Sequence, residues 1–274
     1  MDNPPVPDHR IIQGDVLREV PGLPDAHFQA IIADPPYYQV LLDEAWDNQW
    51  ATPDAYLDWL EQWLALCRPK LRDDGLVFLF GQHGKREHTW LHACSRLCRE
   101  WAFHDLVVWD RVVGYNDRSD SFTPQYEMIL VLRKTAGATP YFDKDAVRVP
   151  YDEATIQTYL RDKRYPDPVK REAHLRKGKY ATNILRVPSL KGASKEKIGH
   201  PSQKPIRLIE MLVLAATRPG DCVLDPFAGS GTTAAACARN GRRSIGIELN
   251  ADYAAMARQR LAEEGKQDDQ GLLL

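Results

Sequence analysis

No apolar run in the chain approaches the roughly 18 residues that a membrane-spanning helix needs. The opening Met1-Asp2-Asn3-Pro4-Pro5 also lacks the basic and apolar regions of a secretory signal. No membrane partner is therefore expected, and the expected location is cytoplasmic. Cysteine is sparse: the five residues Cys67, Cys94, Cys98, Cys222 and Cys237 are odd in number and include no CxxC pair, which argues against a disulfide framework or a zinc site. Cys94 and Cys98, one helical turn apart with His92 nearby, read as a buried helix face rather than half a metal site, so no metal is expected. No lysine follows the glycines of Gly229-Ser230-Gly231-Thr232-Thr233, which excludes a Walker A loop. A strong overall charge is lacking too, the net being -2. Its distribution is uneven, however. From Arg161 to Arg207 there are 14 Lys and Arg against 4 Asp and Glu, a net of +10, leaving -12 for the remainder. Such a basic block suits phosphate contacts.

What the chain does have is length for a large core, 274 residues with 43% hydrophobic, enough for one α/β domain with an insertion. The apolar run Ala30-Ile31-Ile32-Ala33, bounded by proline, predicts a buried parallel strand. Asp34-Pro35-Pro36-Tyr37 then falls at that strand's carboxyl end, where open α/β sheets place ligands. The two prolines stiffen the turn and remove two backbone donors, leaving a carboxylate, carbonyls and an aromatic ring facing a ligand.

Further along, Thr52-Pro53-Asp54 predicts a helix start, and Tyr56, Leu57, Leu60, Trp63, Leu64 and Cys67 recur at helical spacing. Arg68-Pro69 and Asp73-Asp74-Gly75 are expected to close that helix before a strand over Leu76 to Phe80. A helix from His83 to Cys98 and strands over Phe103–Trp109 and Tyr126–Leu132 follow, the last two as an antiparallel excursion at the sheet edge. From about Thr135 prolines recur and no long periodicity survives, so a loop-rich insertion is expected. In it Tyr141, Phe142, Tyr151, Tyr159, Tyr165 and Tyr180 are interleaved with cations, as suits base stacking and phosphate pairing. Regular structure resumes with a helix over Pro205–Thr217 and a strand into Asp225. After the glycine turn come an alanine-rich helix, a strand ending at Glu248, a helix over Asp252–Glu263 and a polar tail.

Strand, glycine turn, helix, strand and terminal carboxylate form a nucleotide-binding half of a doubly wound sheet. Gly229 and Gly231 allow close approach of backbone to ligand, and Glu248, seventeen residues beyond Gly231, is placed to accept from ribose hydroxyls. On these features alone the turn also fits a nicotinamide dehydrogenase of the GxGxxA type.

DPPY at 34–37 together with DPFAGSGTT at 225–233 resembles the DNA amino-methyltransferases. The order, catalytic motif before glycine motif, is that of the β group, whose chain is circularly permuted. Trp46-Asp47, Arg68-Pro69-Lys70-Leu71 and His200-Pro201-Ser202-Gln203-Lys204-Pro205 resemble further motifs of that group, with Ser202 where Thr is usual. The resemblance implies a doubly wound, mostly parallel, Rossmann-like α/β sheet with an inserted DNA-recognition region. It divides the chain into a catalytic half (1–134), a target-recognition insertion (135–199), a cofactor-binding half (200–264) and a flexible tail (265–274). It implies S-adenosylmethionine as cofactor, bound through Asp15, Asp225, Phe227, Gly229, Gly231, Thr232, Glu248, Ser202 and Lys204, with Asp15 near the adenine ring and Ser202 and Lys204 on the far side. Asp34, Pro35, Pro36 and Tyr37 would be catalytic. The basic insertion itself, which the resemblance does not cover, offers Arg176, Lys177, Lys179 and Lys191 as the expected DNA contacts. Double-stranded DNA is the implied partner, and the resemblance allows a homodimer and a cognate restriction endonuclease.

The chemistry has its own rationale. An exocyclic amine on a base is a poor nucleophile because its lone pair is delocalised into the ring. Asp34 and the Pro35 carbonyl can hold its two hydrogens, favouring in-line attack on a sulfonium methyl, while Tyr37 stacks on a base turned out of the duplex. Aspartate before the two prolines favours adenine N6 as target; cytosine N4 is the alternative with the same mechanism. A catalytically silent DNA-binding subunit would need none of these residues, and a dehydrogenase leaves DPPY and the basic insertion unexplained.

Overall fold

The computed structural model describes residues 9–41, 43–82, 88–114, 119–162, 164 and 167–271. In chain order the elements are β1 (His9–Gln13), α1 (Val16–Glu19), β2 (Phe28–Ala33), α2 (Pro53–Cys67), β3 (Leu71–Gly81), α3 (Thr89–Glu100), β4 (Ala102–Asp110) and β5 (Tyr126–Arg133). They continue as α4 (Glu153–Leu160), α5 (Pro168–Arg176), β6 (Ile184–Arg186), α6 (Ile206–Ala216), β7 (Cys222–Asp225), α7 (Thr232–Arg239), β8 (Arg243–Glu248) and α8 (Ala251–Gly271).

The strands form one sheet in the order β1-β8-β7-β2-β3-β5-β4-β6. Every neighbouring pair is parallel except those made by β5, which runs antiparallel to both β3 and β4. This mostly parallel sheet is the expected doubly wound α/β architecture. Because β8, β7 and β2 are adjacent, the carboxylates at their carboxyl ends, Glu248, Asp225 and Asp34, come to one edge although up to 214 residues separate them in sequence.

Each face of the sheet is covered by helices. On one, Leu60, Trp63 and Leu64 of α2 pack with Phe28, Ile31, Val77 and Leu79. On the other, Leu208, Leu212 and Val213 of α6 and Ala235 of α7 pack with Ile32, Phe78, Phe80 and Val223. Burial on both faces explains why β2 and β3 read as continuous apolar runs rather than alternating ones.

Several expectations are corrected. Asp73-Asp74-Gly75 does not close a helix but lies inside β3, where the pairing with β2 shifts register. Buried Gln29 donates to the Asp74 carbonyl at 3.0 Å, and a Cβ on Gly75 would stand 2.8 Å from the Gln29 carbonyl, so the glycine serves a bulge. Cys98 is exposed and Cys94 half-buried, since α3 turns Trp90, Ala93 and Leu97 inward instead. Residues 83–87, expected to open that helix, and Tyr165 lie outside the described residues. The antiparallel pair β4–β5 is present, but β6 from the insertion pairs with β4 and takes the edge.

The insertion is also less loop-like than expected. It carries α4 and α5, whose Asp152 and Asp167 side chains cap the N-termini by accepting from Thr155 and Lys170 N–H. Helices of eight and nine residues are too short to leave a periodic signal. α8 runs on to Gly271, past the expected end at Glu263. Among the described residues no helix is long and apolar enough to cross a membrane.

Candidate active site

The carboxyl ends of β1, β8, β7 and β2 open onto a cleft of about 500 Å³, a size suited to a nucleoside-sized ligand. It is lined by every residue predicted for catalysis and, Gly231 apart, by every residue predicted for the cofactor. Asp15 caps α1, its carboxylate accepting from Leu17 N–H at 2.9 Å. Glu248 accepts from Gly229 N–H and Asn250 N–H, both at 2.8 Å, and burial raises its pKa against those two bonds. Phe227 packs edge-on to Trp63, ring centroids 4.9 Å apart.

The glycine turn needs its glycines. Gly229 and Gly231 have φ of +49° and +72°, a region side chains disfavour. A Cβ on Gly231 would also stand 2.9 Å from Ala257 of α8, so this residue sits behind the cleft and lets α8 close on α7. Thr232 is buried with its hydroxyl accepting from Arg260 at 2.9 Å, which ties the same turn to α8. Asp225 is pushed up to about 7 by burial, with Thr233 and the Phe227 N–H opposing and Asp34 and Glu248 adding.

Opposite lies the DPPY turn. Asp47, almost fully buried, accepts from Tyr37, Val40 and Leu41 N–H at 2.6, 2.7 and 2.7 Å. These bonds hold the following loop, where Tyr38 and Gln39 adopt left-handed φ of 61° and 56°. Tyr56 of α2 donates to the Pro36 carbonyl at 2.9 Å. Pro35, buried between them, keeps its carbonyl without a hydrogen-bond donor among the described residues.

Lys204, expected on the far side of the cofactor site, lines the cleft with its ammonium against Asp34. Its ammonium donates to Asp34 Oδ2 at 2.6 Å and stands 3.5 Å from Glu127 Oε2. Tyr37 Oη donates to Asp34 Oδ1 at 2.5 Å and lies 3.1 Å from Glu127, whose other oxygen accepts from Arg111 at 2.9 Å. Burial pushes Asp34 above the usual carboxylate range, with Lys204 pulling it back. Burial works against the Lys204 charge, but Asp34 and Glu127 outweigh it and hold the ammonium above its ordinary pKa. Ser202 lines the cleft beside His200, which packs 4.4 Å from Tyr253 and under Trp46 at 6.5 Å. Burial, with Lys204 adding, lowers His200 to about 4, so its ring is neutral.

Glu127 and Arg111 escaped the sequence reading, while Asp47, His200 and Tyr56 were read only as parts of motifs or of a helix face, without a role at the site. One signal was available: Glu127 is a lone acid entering the apolar strand Met128–Leu132, and such an acid is seldom buried without a partner. The four residues predicted for DNA lie elsewhere, on the insertion. Lys177 ends α5, Lys179 pairs by backbone with Val149, and Lys191 follows β6. All three are exposed with no ion-pair partner among the described residues. Arg176, by contrast, is bonded to Glu172 at 2.6 Å and Glu153 at 3.3 Å. Among the described residues no cluster could hold a metal ion.

The charge of the cleft bears on its ligand. Asp15, Asp34, Asp47, Asp225 and Glu248 line it, and Lys204 is the only lysine or arginine among the described residues that do. A cationic sulfonium nucleoside suits this acidic lining. The residues present therefore fit S-adenosylmethionine.

Comparison with known proteins agrees. The DNA methylase family model matches residues 28–259. The DNA adenine methyltransferase YhdJ of Escherichia coli is 32% identical over 258 residues, 92% of this chain and 82% of the relative. TTHA0409 of Thermus thermophilus, solved in complex with S-adenosyl-L-methionine, superposes with a TM-score of 0.62 at 25% identity, covering 93% of this chain and 94% of its own. The PvuII DNA methyltransferase, cytosine-N4-specific, shares the fold with a TM-score of 0.67 at 17% identity, covering 93% and 88%.

Proposed function

The chain belongs to the DNA methylase family, and from that premise we propose that it methylates the exocyclic N6 of an adenine turned out of duplex DNA. It is an S-adenosylmethionine-dependent DNA methyltransferase. Adenine as the target is supported by Asp34 before the two prolines and by the adenine-specific relative. The single observation that carries the reading is that Asp34 and the Gly229 turn face one cleft.

Asp15, Phe227, Gly229 and Glu248 would hold the cofactor's nucleoside, and Asp225 and Ser202 would face its remaining part. Bound there, S-adenosylmethionine supplies a methyl group on a positively charged sulfur. The protein acts on the acceptor. Asp34 and the Pro35 carbonyl accept the amine's two hydrogens, so that the nitrogen lone pair is turned toward the methyl carbon. Both oxygens of Asp34 already accept one bond each, and a carboxylate has lone pairs for further donors. Once methylated, the amine nitrogen would be acidic, and Asp34 would be placed to take its proton. Tyr37, anchored through its hydroxyl, would present its ring to the extruded base.

Residues 135–199 are assigned to target recognition, with Lys177, Lys179 and Lys191 contacting phosphates and Arg176 bracing α4 against α5. Incubating the purified protein with methyl-labelled cofactor and mixed-sequence duplex DNA, followed by mass spectrometry of nucleosides, tests the proposal. N6-methyladenine is expected. N4-methylcytosine would reverse the base assignment, and absence of transfer with cofactor bound would overturn the reading of the site.

A further inference from the structure

Asp34 is not the only carboxylate at the floor of the cleft. Glu127, on the antiparallel strand β5, reaches the same Lys204 ammonium and the same Tyr37 hydroxyl, yet it is absent from the cleft lining. Its side chain is 8% exposed, as is that of Lys204. Four charges are thus packed in sequence through space, Asp34, Lys204, Glu127 and Arg111, and they sum to zero.

That balance changes during the reaction. When the methylated nitrogen loses its proton, an N–H bond breaks and an O–H bond forms on Asp34, and the carboxylate becomes neutral. Lys204 would then be a buried cation without a counter-ion, a strongly unfavourable state. Glu127, 3.5 Å from that ammonium and fixed by Arg111 at 2.9 Å, is the anion that remains. The Tyr37 hydroxyl has one proton and can serve only one carboxylate at a time, so it is free to turn from Asp34 to Glu127 as Asp34 is protonated.

We infer that Glu127 is a positioning residue that allows Asp34 to accept the amine proton, by keeping Lys204 paired once Asp34 is neutral. The inference rests on the amine-methylation reading of the site. Other groups also face the cluster: Asp225 from β7 and Tyr56 from α2 lie near Asp34, and His200 lies near Lys204. None of them contacts both Lys204 and Tyr37 as Glu127 does.

The test is the pH profile of single-turnover methylation, with cofactor and DNA saturating, for the unmodified protein, Glu127→Gln and Glu127→Asp. Glu127→Gln is expected to lower the plateau at least about tenfold. It should also move the acidic limb to lower pH, because removing a neighbouring negative charge makes Asp34 easier to ionise. Glu127→Asp keeps the charge and should retain the original limb with only a reduced plateau. A Glu127→Gln, Lys204→Met double variant should be no slower than the slower single variant, since the two residues act as one unit. A plateau loss with the limb unmoved, a profile unchanged by Glu127→Gln, or multiplicative losses in the double variant would each overturn the inference. Failure of the site reading is distinguishable, because then the unmodified protein itself would transfer no methyl group.

Discussion

In the cleft, Asp34 and Lys204 stand 170 residues apart in sequence and 2.6 Å apart in space. In the insertion several partners are sequence neighbours: Arg148 bonds Asp145, Lys170 bonds Asp167 and Arg176 bonds Glu172, besides reaching Glu153 of the neighbouring helix. The first arrangement is buried and can exist only when β2, β5 and the segment leading into α6 have assembled. The second is solvated and forms wherever its own short helix or turn forms. Buried partners are costly to separate, because the survivor is left uncompensated, whereas exposed pairs are screened and contribute little. The cleft thus uses long-range pairs to hold reacting groups, and the insertion uses local pairs to hold its shape, leaving other lysines for phosphate.

The largest expected effect breaks the cleft's side of this contrast. Asp34→Ala should reduce methyl transfer by about 10³-fold, comparable to loss of a main transition-state contact, while cofactor affinity measured by calorimetry changes little. Unchanged transfer would remove Asp34 from the chemistry.

How much of this could be read from the sequence divides along the same line. DPPY, the glycine turn and Glu248 are legible because their signals are local: a proline after a strand, glycines where φ is positive, a carboxylate at a strand end. The parallel sheet was legible from apolar runs of strand length. Lys204 was visible as part of a motif, but its partner was not, since nothing in the segment 200–205 says that β7 will lie beside β2. Glu127 and Arg111 were missed for that reason too. Gly75 was misread because a bulge glycine and a helix-closing glycine look alike until the partner strand is known. In the insertion, the capping residues Asp152 and Asp167 were present in the sequence, yet helices of two turns gave no period to find.

Next in size, Gly231→Ala should destabilise the fold by about 1–3 kcal/mol through left-handed strain and overpacking. The 2.9 Å approach to Ala257 leaves α8 to move aside. The readout is a fall of about 2–4 °C in melting temperature per kcal/mol, together with weaker cofactor binding. An unaltered melting temperature would show that α7 and α8 are not in close register.

A pH measurement sharpens the contrast further. The Asp225 carboxyl, raised to about 7 in the folded chain from a reference value of 3.8, binds a proton more tightly folded than unfolded. Its contribution to stability is therefore fully present below the unfolded value and is lost as pH rises through about 7. The ligand-free protein should melt at higher temperature near pH 5 than near pH 8, by roughly a few degrees. Asp225→Asn, which can still accept from Phe227 N–H, should flatten that dependence and raise the melting temperature at the higher pH. A dependence as steep in the variant would assign it to another group.

On the insertion, the effects should appear in binding and not in folding. The double change Lys177→Ala, Lys179→Ala removes two unpaired cations and should reduce the slope of log affinity against log salt by about 1.8, at roughly 0.9 for each phosphate contact. Arg176→Ala is the internal control and the smallest effect. Its guanidinium is already neutralised by Glu172 and Glu153, so its removal exposes two carboxylates while releasing no phosphate-bound charge. The salt slope should stay within experimental error of the unmodified protein, even though one positive charge has been deleted from a basic region. Equal slopes for Arg176→Ala and the lysine variants would mean that the local pairs open on DNA, and that the insertion's charges act as a pool rather than as braces and contacts. A slope changed only by the lysines would separate the two roles within a single helix end and the bridge that follows it.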